Sequence, residues 1–381
     1  MTATLQQTPL HDWHAEHGGR LVDFAGWSMP VHYGSIVAEH NATRSALGLF
    51  DVSHMGRLVF TGSGAEAFLN SLVTRRVTDM SPGQVRYALA TNDVGGILDD
   101  VLVYRLPPES RGDQAASDSG TSYLMVVNAS NRAKIICWIE ALLCDSSKVE
   151  LHDATDELAM IAVQGPRAVE VLEPMVKGDI STLKYYHCRR TAIDGHSAIV
   201  SRTGYTGEDG FEVMLPSEAA TEFWQQVLDA AKSLGAMPCG LGCRDTLRLE
   251  AAMPLYGHEL SEEITPLQAG LDFAVDLEGR TFPGREALCK MQQMSPQRIR
   301  VGLELSGKRV PREHHAILTG GETVGEVTSG TFSPTLNKPI AMGYVDRRHA
   351  AVGTELSIDV RGSAEPARVV KLPFYRRETK K

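Results

Sequence analysis

Two adjacent aspartates, Asp99 and Asp100, follow a glycine pair in NDVGGILDD (92–100) and stand directly before the apolar run VLVY. A fixed carboxylate in a pocket can act as a general acid or base, or stabilise a developing positive charge. Taken alone, however, an Asp after Gly-Gly more often caps or turns the backbone. Because neighbouring side chains on a strand point to opposite faces, at most one of the two can face a given pocket. One aspartate is therefore a candidate for chemistry and the other for structural work.

A second candidate segment, VSRTGYTGEDGFEVML (200–215), places three glycines around Tyr205 and the acids Glu208 and Asp209. It has no GK[ST] sequence and so is not a phosphate-binding P-loop. Two interpretations stay open, a glycine-rich hairpin with solvated acids and a loop that supplies a functional carboxylate. Glu212 favours the second, because it stands between apolar residues at a strand start and could point into a cleft.

The segment GLGCRDTLRLEAAMPLYG (240–257) predicts a helix whose start is marked by Gly242. Arg244 and Arg248 lie one turn apart on it, with Glu250 beyond. An ion-paired helix face is the commoner use of such a pattern. A partly buried guanidinium near a pocket would instead offer a forked, permanent cation to a carboxylate.

Gly62, Gly64 and Ala67 form a GxGxxA pattern in RLVFTGSGAEAFL, between a predicted strand and a predicted helix. A dinucleotide site would also need a second apolar strand ending in an acid about 20 residues on. That region reads RVTDMSPGQ, a polar and turn-like segment. The glycines therefore predict a tight strand-to-helix turn.

Positioning elements of both types are predicted, which indicates an α+β or α/β chain. The strand-like runs are GRLVFTG (56–62), DVLVYRL (100–106), SYLMVVN (122–128) and MIAVQG (160–165). The polar segment 107–121 predicts an exposed, mobile loop in a long hairpin between the second and third of these runs. From about Arg298 the pattern changes to short β-rich runs parted by turns, which predicts a separate small β-barrel or sandwich.

The clearest helix follows Ser217. Its predicted apolar face carries Phe223, Val227, Ala231 and Leu234. Ser217 is placed to cap its start, and a glycine at position 235 is placed to end it. This helix is predicted to pack and to carry no chemistry.

The chain has 381 residues, enough for two or three domains, and a formal net charge of -9 that disfavours nucleic acid and anionic lipid as partners. Six scattered cysteines without a CxxC pair predict reduced thiols and no zinc site or other metal centre. The first residues lack a secretory or transit pattern, and no run reaches the ~18 apolar residues of a membrane span. We therefore expect a cytoplasmic protein that does not enter a membrane.

Seven ordered blocks together resemble the T-protein family of the glycine cleavage system, the aminomethyltransferases. The blocks are VDFAGWSMPVHYGS (22–35), GLFDVSHMG (48–56), NDVGGILDD (92–100), VQGP (163–166), RTGYTGEDGFE (202–212), CRDTLRLEA (243–251) and TSGTFSPTLNKPIAMGYV (328–345). They are spread over almost the whole chain, which makes the set far more specific than any one block. The loop at 107–121 looks longer than in most members of that family, and it is left open whether it contacts the mouth of the cavity or a partner protein.

The resemblance implies an α+β fold of three domains in a cloverleaf around a central folate cavity, the last domain being a small β-barrel. We place the folate-binding region, two intertwined α+β lobes, at 1–285 and the barrel at 286–381. The implied reaction takes an aminomethyl group from the lipoyl arm of the H-protein and passes its one-carbon unit to tetrahydrofolate, which is a co-substrate. Ammonia, 5,10-methylenetetrahydrofolate and the dihydrolipoyl protein are released.

The same resemblance assigns roles to individual residues. Asp100 faces the folate nitrogen between pterin and benzoate, Glu212 bonds the donor-rich pterin edge, and Arg244 meets the glutamate tail. The residues implied to line the cavity are Tyr87, Met55, Tyr104, Asn128 and Tyr205.

Two other readings are weighed against the transferase. One is a folate-binding protein of the same fold without transfer chemistry. The other is a related folate-dependent demethylase or the folate half of an amine oxidase. An intact Asp100 favours the transferase, because a protein that only holds folate needs no acid at the reacting nitrogen. A fused oxidase would also need a flavin domain for which the chain has no room.

Overall fold

The computed structural model describes residues 4–108, 121–143 and 148–378 of the chain. Its helices are α1 His11–Glu16, α2 Ile36–Ser45, α3 Ala65–Leu72, α4 Arg132–Leu142, α5 Ala168–Leu172, α6 Ala220–Ala231, α7 Leu241–Glu250 and α8 Arg285–Met294. Its strands are β1 Leu21–Phe24, β2 Trp27–Pro30, β3 Gly48–Asp51, β4 Gly56–Thr61, β5 Val85–Thr91, β6 Ile97–Arg105, β7 Tyr123–Val127, β8 Glu150–Asp153, β9 Leu158–Gln164, β10 Cys188–Ile193, β11 His196–Ser201, β12 Gly210–Pro216, β13 Met237–Pro238, β14 Arg298–Leu305, β15 Ala316–Thr319, β16 Glu322–Ser333, β17 Lys338–Asp346, β18 Glu355–Asp359 and β19 Ala364–Val370.

The chain divides into two compact units, each built from separate stretches. The first unit comprises Met1–Ala88, Asp99–Gly204 and Glu208–Cys243, and the second comprises Leu89–Leu98, Tyr205–Gly207 and Arg244–Lys381. The predicted boundary at 285/286 divides the sequence into two continuous segments, whereas these units are built from separate stretches. That boundary stays a prediction.

Two sheets carry the first unit. One has the strand order β10-β11-β12-β9-β3-β13, and the other has the order β5-β6-β7-β4-β8. Each of the four predicted strand runs lies on one of these strands, so those predictions are confirmed. The apolar side chains of the first sheet pack with α6 into one core, in which Trp224 and Phe211 are fully buried. This core holds β12, the strand of Glu212, in a fixed register against β9 and β11.

The hairpin of β6 and β7 is confirmed, with Leu102 opposite Val126. Most of the 107–121 segment that joins the two strands lies outside the described residues. Asp99 and Asp100 lie within β6 and not before it, so the idea that one of them turns the chain ahead of the strand is wrong. Asn92 makes that turn, because its side-chain oxygen accepts hydrogen bonds from two backbone N–H groups of the 94–96 segment.

Helix α6 confirms the predicted apolar face, since Phe223, Val227 and Ala231 are buried. Gly235 ends the helical segment with a φ of 82°, a left-handed conformation that glycine adopts without strain. The predicted cap by Ser217 is wrong. Its hydroxyl donates to the backbone carbonyl of Asp156 at 2.9 Å, so a tertiary contact has taken the group that would cap the helix.

The turn at Gly62 is confirmed as a strand-to-helix connection between β4 and α3. Gly62 has a φ of 97°, and a Cβ atom there would lie 2.2 Å from the carbonyl oxygen of Lys148. Only glycine fits this close approach.

Helix α7 begins at Leu241, one residue before the predicted start, and it ends at Glu250, well before the predicted limit of 257. Ala252 then takes a φ of 55°, a left-handed conformation outside the helix. Within the second unit, Arg248 is buried and its guanidinium donates to Glu259 at 2.7 Å. The ion-paired interpretation is therefore right for Arg248.

The predicted β-rich end of the chain is a closed barrel in the strand order β14-β17-β16-β15-β18-β19, with β14 pairing β19 to close it. Closure satisfies the backbone groups that an open sheet would leave at its edges. The prediction of a barrel or sandwich is thereby resolved in favour of the barrel.

A buried polar group holds the N-terminal part of the first unit. Asp51 accepts hydrogen bonds from the Thr8 hydroxyl at 2.6 Å and from the Ser53 backbone N–H at 2.9 Å, and His14 Nε2 lies 3.0 Å from it. The Tyr33 hydroxyl lies 2.7 Å from the other ring nitrogen of His14. Burial alone would raise the pKa of Asp51, but His14 and the two hydrogen bonds outweigh burial and lower this pKa to about 2.

This group predicts an acid-sensitive contribution to stability. The folded-state pKa of Asp51 lies below the unfolded value, so its contribution is present above pH ~4 and is lost as the pH falls towards about 2. We expect Asp51→Asn to lower the free energy of unfolding by about 2 kcal/mol at neutral pH. The difference from wild type should shrink below pH ~4. Urea unfolding followed by tryptophan fluorescence measures it, with exposed Asp12→Asn as control. A difference that stays constant with pH would contradict the assignment.

Candidate active site

Three of the predicted site residues form one hydrogen-bonded group in the first unit. The Asp100 carboxylate on β6 accepts a hydrogen bond from the Tyr87 hydroxyl at 3.1 Å and another from the Asn128 side-chain amide at 2.7 Å. Tyr87 comes from β5, and Asn128 is the first residue after β7. Three segments of the same sheet therefore meet at Asp100, which is half-buried.

Asp99, by contrast, is fully buried. Its carboxylate accepts hydrogen bonds from the backbone N–H of Asn128 at 3.0 Å, from the Asn128 amide at 2.8 Å and from the Asn131 amide at 2.6 Å. These bonds hold the short 3₁₀ turn Ala129–Asn131. This agrees with a structural use for one of the two aspartates. Since one amide contacts both carboxylates, strand alternation does not separate Asp99 and Asp100 as fully as expected. Asn131 is a residue that sequence reasoning missed; the polar NASN segment (128–131) after an apolar strand was its signal.

Burial raises the pKa of both carboxyl groups above the ordinary range of aspartic acid. At Asp99 the charge of Asp100 adds to the effect of burial, and the hydrogen bonds from Asn131 and Asn128 oppose it. At Asp100 the hydrogen bonds from Asn128 and Tyr87 oppose burial. Those two donors favour the ionised form of Asp100, the form that can stabilise a positively charged nitrogen.

A second group joins Glu212 to Tyr104, also in the first unit. The Thr203 hydroxyl donates to the Glu212 carboxylate at 2.5 Å and lies 2.9 Å from the Ser201 hydroxyl. The Tyr104 hydroxyl lies 3.4 Å from Ser201. Glu212 is buried, so it does sit within the protein and not on an open surface. Sequence reasoning missed Ser201 and Thr203. Their signal was the alternation of two polar residues at the end of an apolar strand. The structure places Ser201 opposite Glu212.

The acids at 208 and 209 are both ion-paired, which corrects the interpretation of a hairpin with solvated acids. Glu208 is buried and pairs with Arg44 at 2.9 Å, and Asp209 pairs with Arg202 at 2.5 Å. These ion pairs fix the ends of the 202–209 connection between β11 and β12. The connection is therefore an ordered part of the first unit on either side of Tyr205.

Tyr186 is a further residue that sequence reasoning missed. It has a φ of 58°, which is uncommon for a bulky side chain. Its backbone N–H donates to the carbonyl of Arg202, and its carbonyl accepts a hydrogen bond from the backbone N–H of Val85. Burial raises its pKa, and the charges of Asp100 and Glu212 act in the same direction. The carboxylates of Asp100 and Glu212 thus act electrostatically on one phenol. No signal in the sequence pointed to Tyr186.

In the second unit, Arg244 and Tyr205 lie together. The Arg244 guanidinium carbon lies 4.7 Å from the centroid of the Tyr205 ring, which is cation–π geometry. The Tyr205 hydroxyl donates to the backbone carbonyl of Pro254 at 2.5 Å. An arginine on an aromatic face keeps its fork of N–H donors available for a planar anion such as a carboxylate.

Met55 is positioned by hydrogen bonds of its backbone within the first unit. It is half-buried, and it follows a turn in which its backbone N–H donates to Val52 at 3.1 Å. Its carbonyl accepts a hydrogen bond from the buried Arg57. Its backbone position is therefore well fixed.

Within residues 4–108, 121–143 and 148–378, no group of three or more His, Cys, Asp or Glu residues has an arrangement that could hold a metal ion. In the same residues, none of the helices has the length and apolar character needed to cross a membrane.

Comparison with known proteins gives matches to two family models. Residues 10–279 match the family model described as GCVT N-terminal domain, and residues 298–376 match the glycine cleavage T-protein C-terminal barrel domain. An aminomethyltransferase of Symbiobacterium thermophilum is 44% identical over 99% of both chains. One of Rubrobacter xylanophilus is 47% identical over 98% of this chain and 95% of its own.

Among solved structures, the glycine cleavage system aminomethyltransferase T of Bartonella henselae matches with a TM-score of 0.88. It is 32% identical, and the match covers 97% of this chain and 98% of that one. The fold and the matches define an enzyme of the aminomethyltransferase type. The chain belongs to the glycine cleavage T-protein family. The resemblance stated from the sequence blocks is thereby confirmed.

Proposed function

We propose that this enzyme transfers the one-carbon unit of an aminomethyl group, carried on the lipoyl arm of the H-protein, to tetrahydrofolate in the cytoplasm. The products are ammonia, 5,10-methylenetetrahydrofolate and the dihydrolipoyl protein. Tetrahydrofolate is a co-substrate, and the reaction as proposed uses no metal. The observation that supports this most directly is the half-buried Asp100 held by two hydrogen-bond donors, in a chain of this family.

Asp100 acts on the folate nitrogen between pterin and benzoate. Attack by that amine on the transferred carbon builds positive charge on nitrogen, and a fixed carboxylate stabilises that charge. At ~4 Å and an effective dielectric constant of about 20, the interaction is worth about 4 kcal/mol before desolvation is counted. Holding the amine in the right orientation adds to this effect.

Glu212 binds the donor-rich edge of the pterin, and Arg244 binds the glutamate tail. The chemistry of both side chains fits these groups. A carboxylate accepts two parallel N–H donors from a guanidine-like edge, and a guanidinium offers the complementary fork to a carboxylate. The remaining residues proposed to line the folate cavity are Tyr87, Met55, Tyr104, Asn128 and Tyr205. Aromatic and thioether side chains among them supply apolar surface for the pterin and benzoate rings.

The test is single-turnover formation of 5,10-methylenetetrahydrofolate and ammonia from aminomethyl-loaded H-protein and tetrahydrofolate, with and without this protein. We expect strong acceleration. No acceleration together with tight folate binding would overturn the transferase proposal and favour a folate-binding protein. A folate-dependent demethylase would show itself by accepting a different one-carbon donor in the same assay.

Thr203→Val tests the support of Glu212. The change keeps the side-chain shape and removes the hydroxyl that donates to the carboxylate. Because a hydrogen bond to a charged group contributes about 1 kcal/mol or more, we expect tetrahydrofolate affinity to fall about fivefold or more by calorimetric titration. Thr191→Val is the matched control, since the Thr191 hydroxyl donates to the backbone carbonyl of Lys177. Equal affinities in the two variants would contradict the role given to Thr203.

A further inference from the structure

The Asn128 side chain stands between the two aspartates of the first unit. Its amide nitrogen lies 2.8 Å from Oδ1 of Asp99 and 2.7 Å from Oδ1 of Asp100. An Asn amide has two N–H donors and one carbonyl acceptor. One hydrogen is thus available for each carboxylate, and the backbone carbonyl of Asp100 is a longer third contact of the same nitrogen at 3.2 Å. A flipped amide would instead turn its oxygen towards these acceptors.

Asp99 is the fixed end of this arrangement. It is fully buried, and it is held independently by the Asn128 backbone N–H at 3.0 Å and by the Asn131 amide at 2.6 Å. Asp100 is the more exposed of the pair, and the Tyr87 hydroxyl also donates to it, at 3.1 Å. The orientation of Asp100 therefore depends on the anchored side of the bridge.

We propose that Asn128 is a positioning residue for the transfer reaction, which fixes the Asp100 carboxylate against the buried Asp99 and contributes little to folate affinity. The inference rests on the proposed function, because it assigns to Asn128 an effect exerted through Asp100. It places Asp99 in the same role, as the anchor of the bridge.

The groups that face Asp100 come from several elements. Asp99 precedes it on β6, Tyr87 donates to it from β5, and Asn128 donates to it from the end of β7. The charge of Asp100 in turn acts on Tyr186, in the segment before β10. Burial raises the pKa of Tyr186, so this phenol stays neutral near neutral pH. The acid limb of the pH–rate profile then reports ionisation of Asp100 in the presence of Asp99.

The sign of the expected shift follows from the bridge. The Asn128 hydrogen bond lowers the pKa of Asp100, so removing it raises this pKa. Because the reaction needs ionised Asp100, activity in the variant should be lost at a higher pH than in wild type. A residue with only a structural role would change stability and leave the limb in place.

The experiment measures single-turnover transfer across pH, and tetrahydrofolate binding by calorimetry, for Asn128→Ala in the full chain. We expect the rate to fall about 10- to 100-fold, folate affinity to stay within about twofold, and the acid limb to move up by about one pH unit. Asn128→Ser keeps one donor and carries the test if the Ala variant does not fold, with a smaller shift in the same direction.

Asn131→Ala is the matched control. It removes an amide from the same turn that bonds Asp99 and leaves the contact of Asn128 with Asp100 in place. We expect a lower melting temperature and, because Asp99 keeps both of its bonds from Asn128, a shift of the acid limb and a loss of rate that are clearly smaller than in Asn128→Ala. An unmoved limb in the Asn128 variants, or a large loss of folate affinity with an unchanged rate, would overturn the inference. Wild-type turnover in Asp100→Asn would instead overturn the role of Asp100 in the proposed function.

Discussion

Asp100→Asn is expected to reduce the transfer rate by about a thousandfold while tetrahydrofolate still binds. The substitution keeps the size of the side chain and its contact with the Tyr87 hydroxyl, but it removes the negative charge. About 4 kcal/mol of electrostatic stabilisation at the reacting nitrogen corresponds to about three powers of ten in rate. Single-turnover formation of 5,10-methylenetetrahydrofolate measures the rate, and calorimetric titration measures binding.

Asp99→Asn is the control for that result. It changes the neighbouring residue of the same strand and the same residue type, but Asp99 is fully buried and holds the 129–131 turn. We expect a clear loss of thermal stability and a smaller loss of rate than for Asp100→Asn, because Asp99 acts on the reaction indirectly, through Asn128 and through its charge beside Asp100. A larger loss of rate in the Asp99 variant would show that the catalytic role had been given to the wrong aspartate.

Arg244→Ala is expected to weaken tetrahydrofolate binding about 30-fold, with a much smaller effect on the transfer rate at saturating folate. A charge-assisted pair between a guanidinium and a carboxylate of the glutamate tail contributes about 2 kcal/mol, which gives this change in affinity. Arg244→Lys keeps the charge and loses the planar fork, so its affinity should lie between wild type and the Ala variant. Calorimetry with tetrahydrofolate measures all three proteins.

Arg280→Ala provides the matched control in the same unit. The Arg280 guanidinium also lies over an aromatic ring, at 5.3 Å from the centroid of Phe282, but no ligand role is proposed for it. Its loss should reduce stability and leave folate affinity close to wild type. If Arg244→Ala bound tetrahydrofolate as tightly as the Arg280 variant, the assignment of the tail to Arg244 would be wrong.

The depressed pKa of Asp51 and the raised values at Asp99 and Asp100 show how similar residues are used differently. Asp51 is surrounded by His14 and two donors, which outweigh burial, whereas at Asp99 burial and then the like charge of Asp100 outweigh the hydrogen bonds from Asn131 and Asn128. The first arrangement favours a permanent charge that stabilises the fold. The second keeps protonation sensitive to its surroundings, which suits a group that takes part in chemistry.

The amino-acid sequence determined the local elements and the family. The four predicted strands and the closed barrel follow from apolar patterns and turn residues, which act over a few positions and are visible in a linear chain. The glycines at 62 and 235 were predictable for the same reason, since each meets a local backbone requirement. The ordered blocks were specific enough to identify the family before any contact was known.

Only the tertiary structure decided which side chains meet. The Ser217 hydroxyl donates to the backbone carbonyl of Asp156, about 60 positions away in the sequence. The Asn128 amide donates to Asp99 and Asp100 from across a hairpin. Thr203 donates a hydrogen bond to Glu212, and the charge of Glu212 acts on Tyr186. No local sequence pattern shows either interaction. The physical reason is that hydrogen bonding and charge depend on distance in space, and strand pairing brings together residues whose separation in sequence carries no signal of their contact.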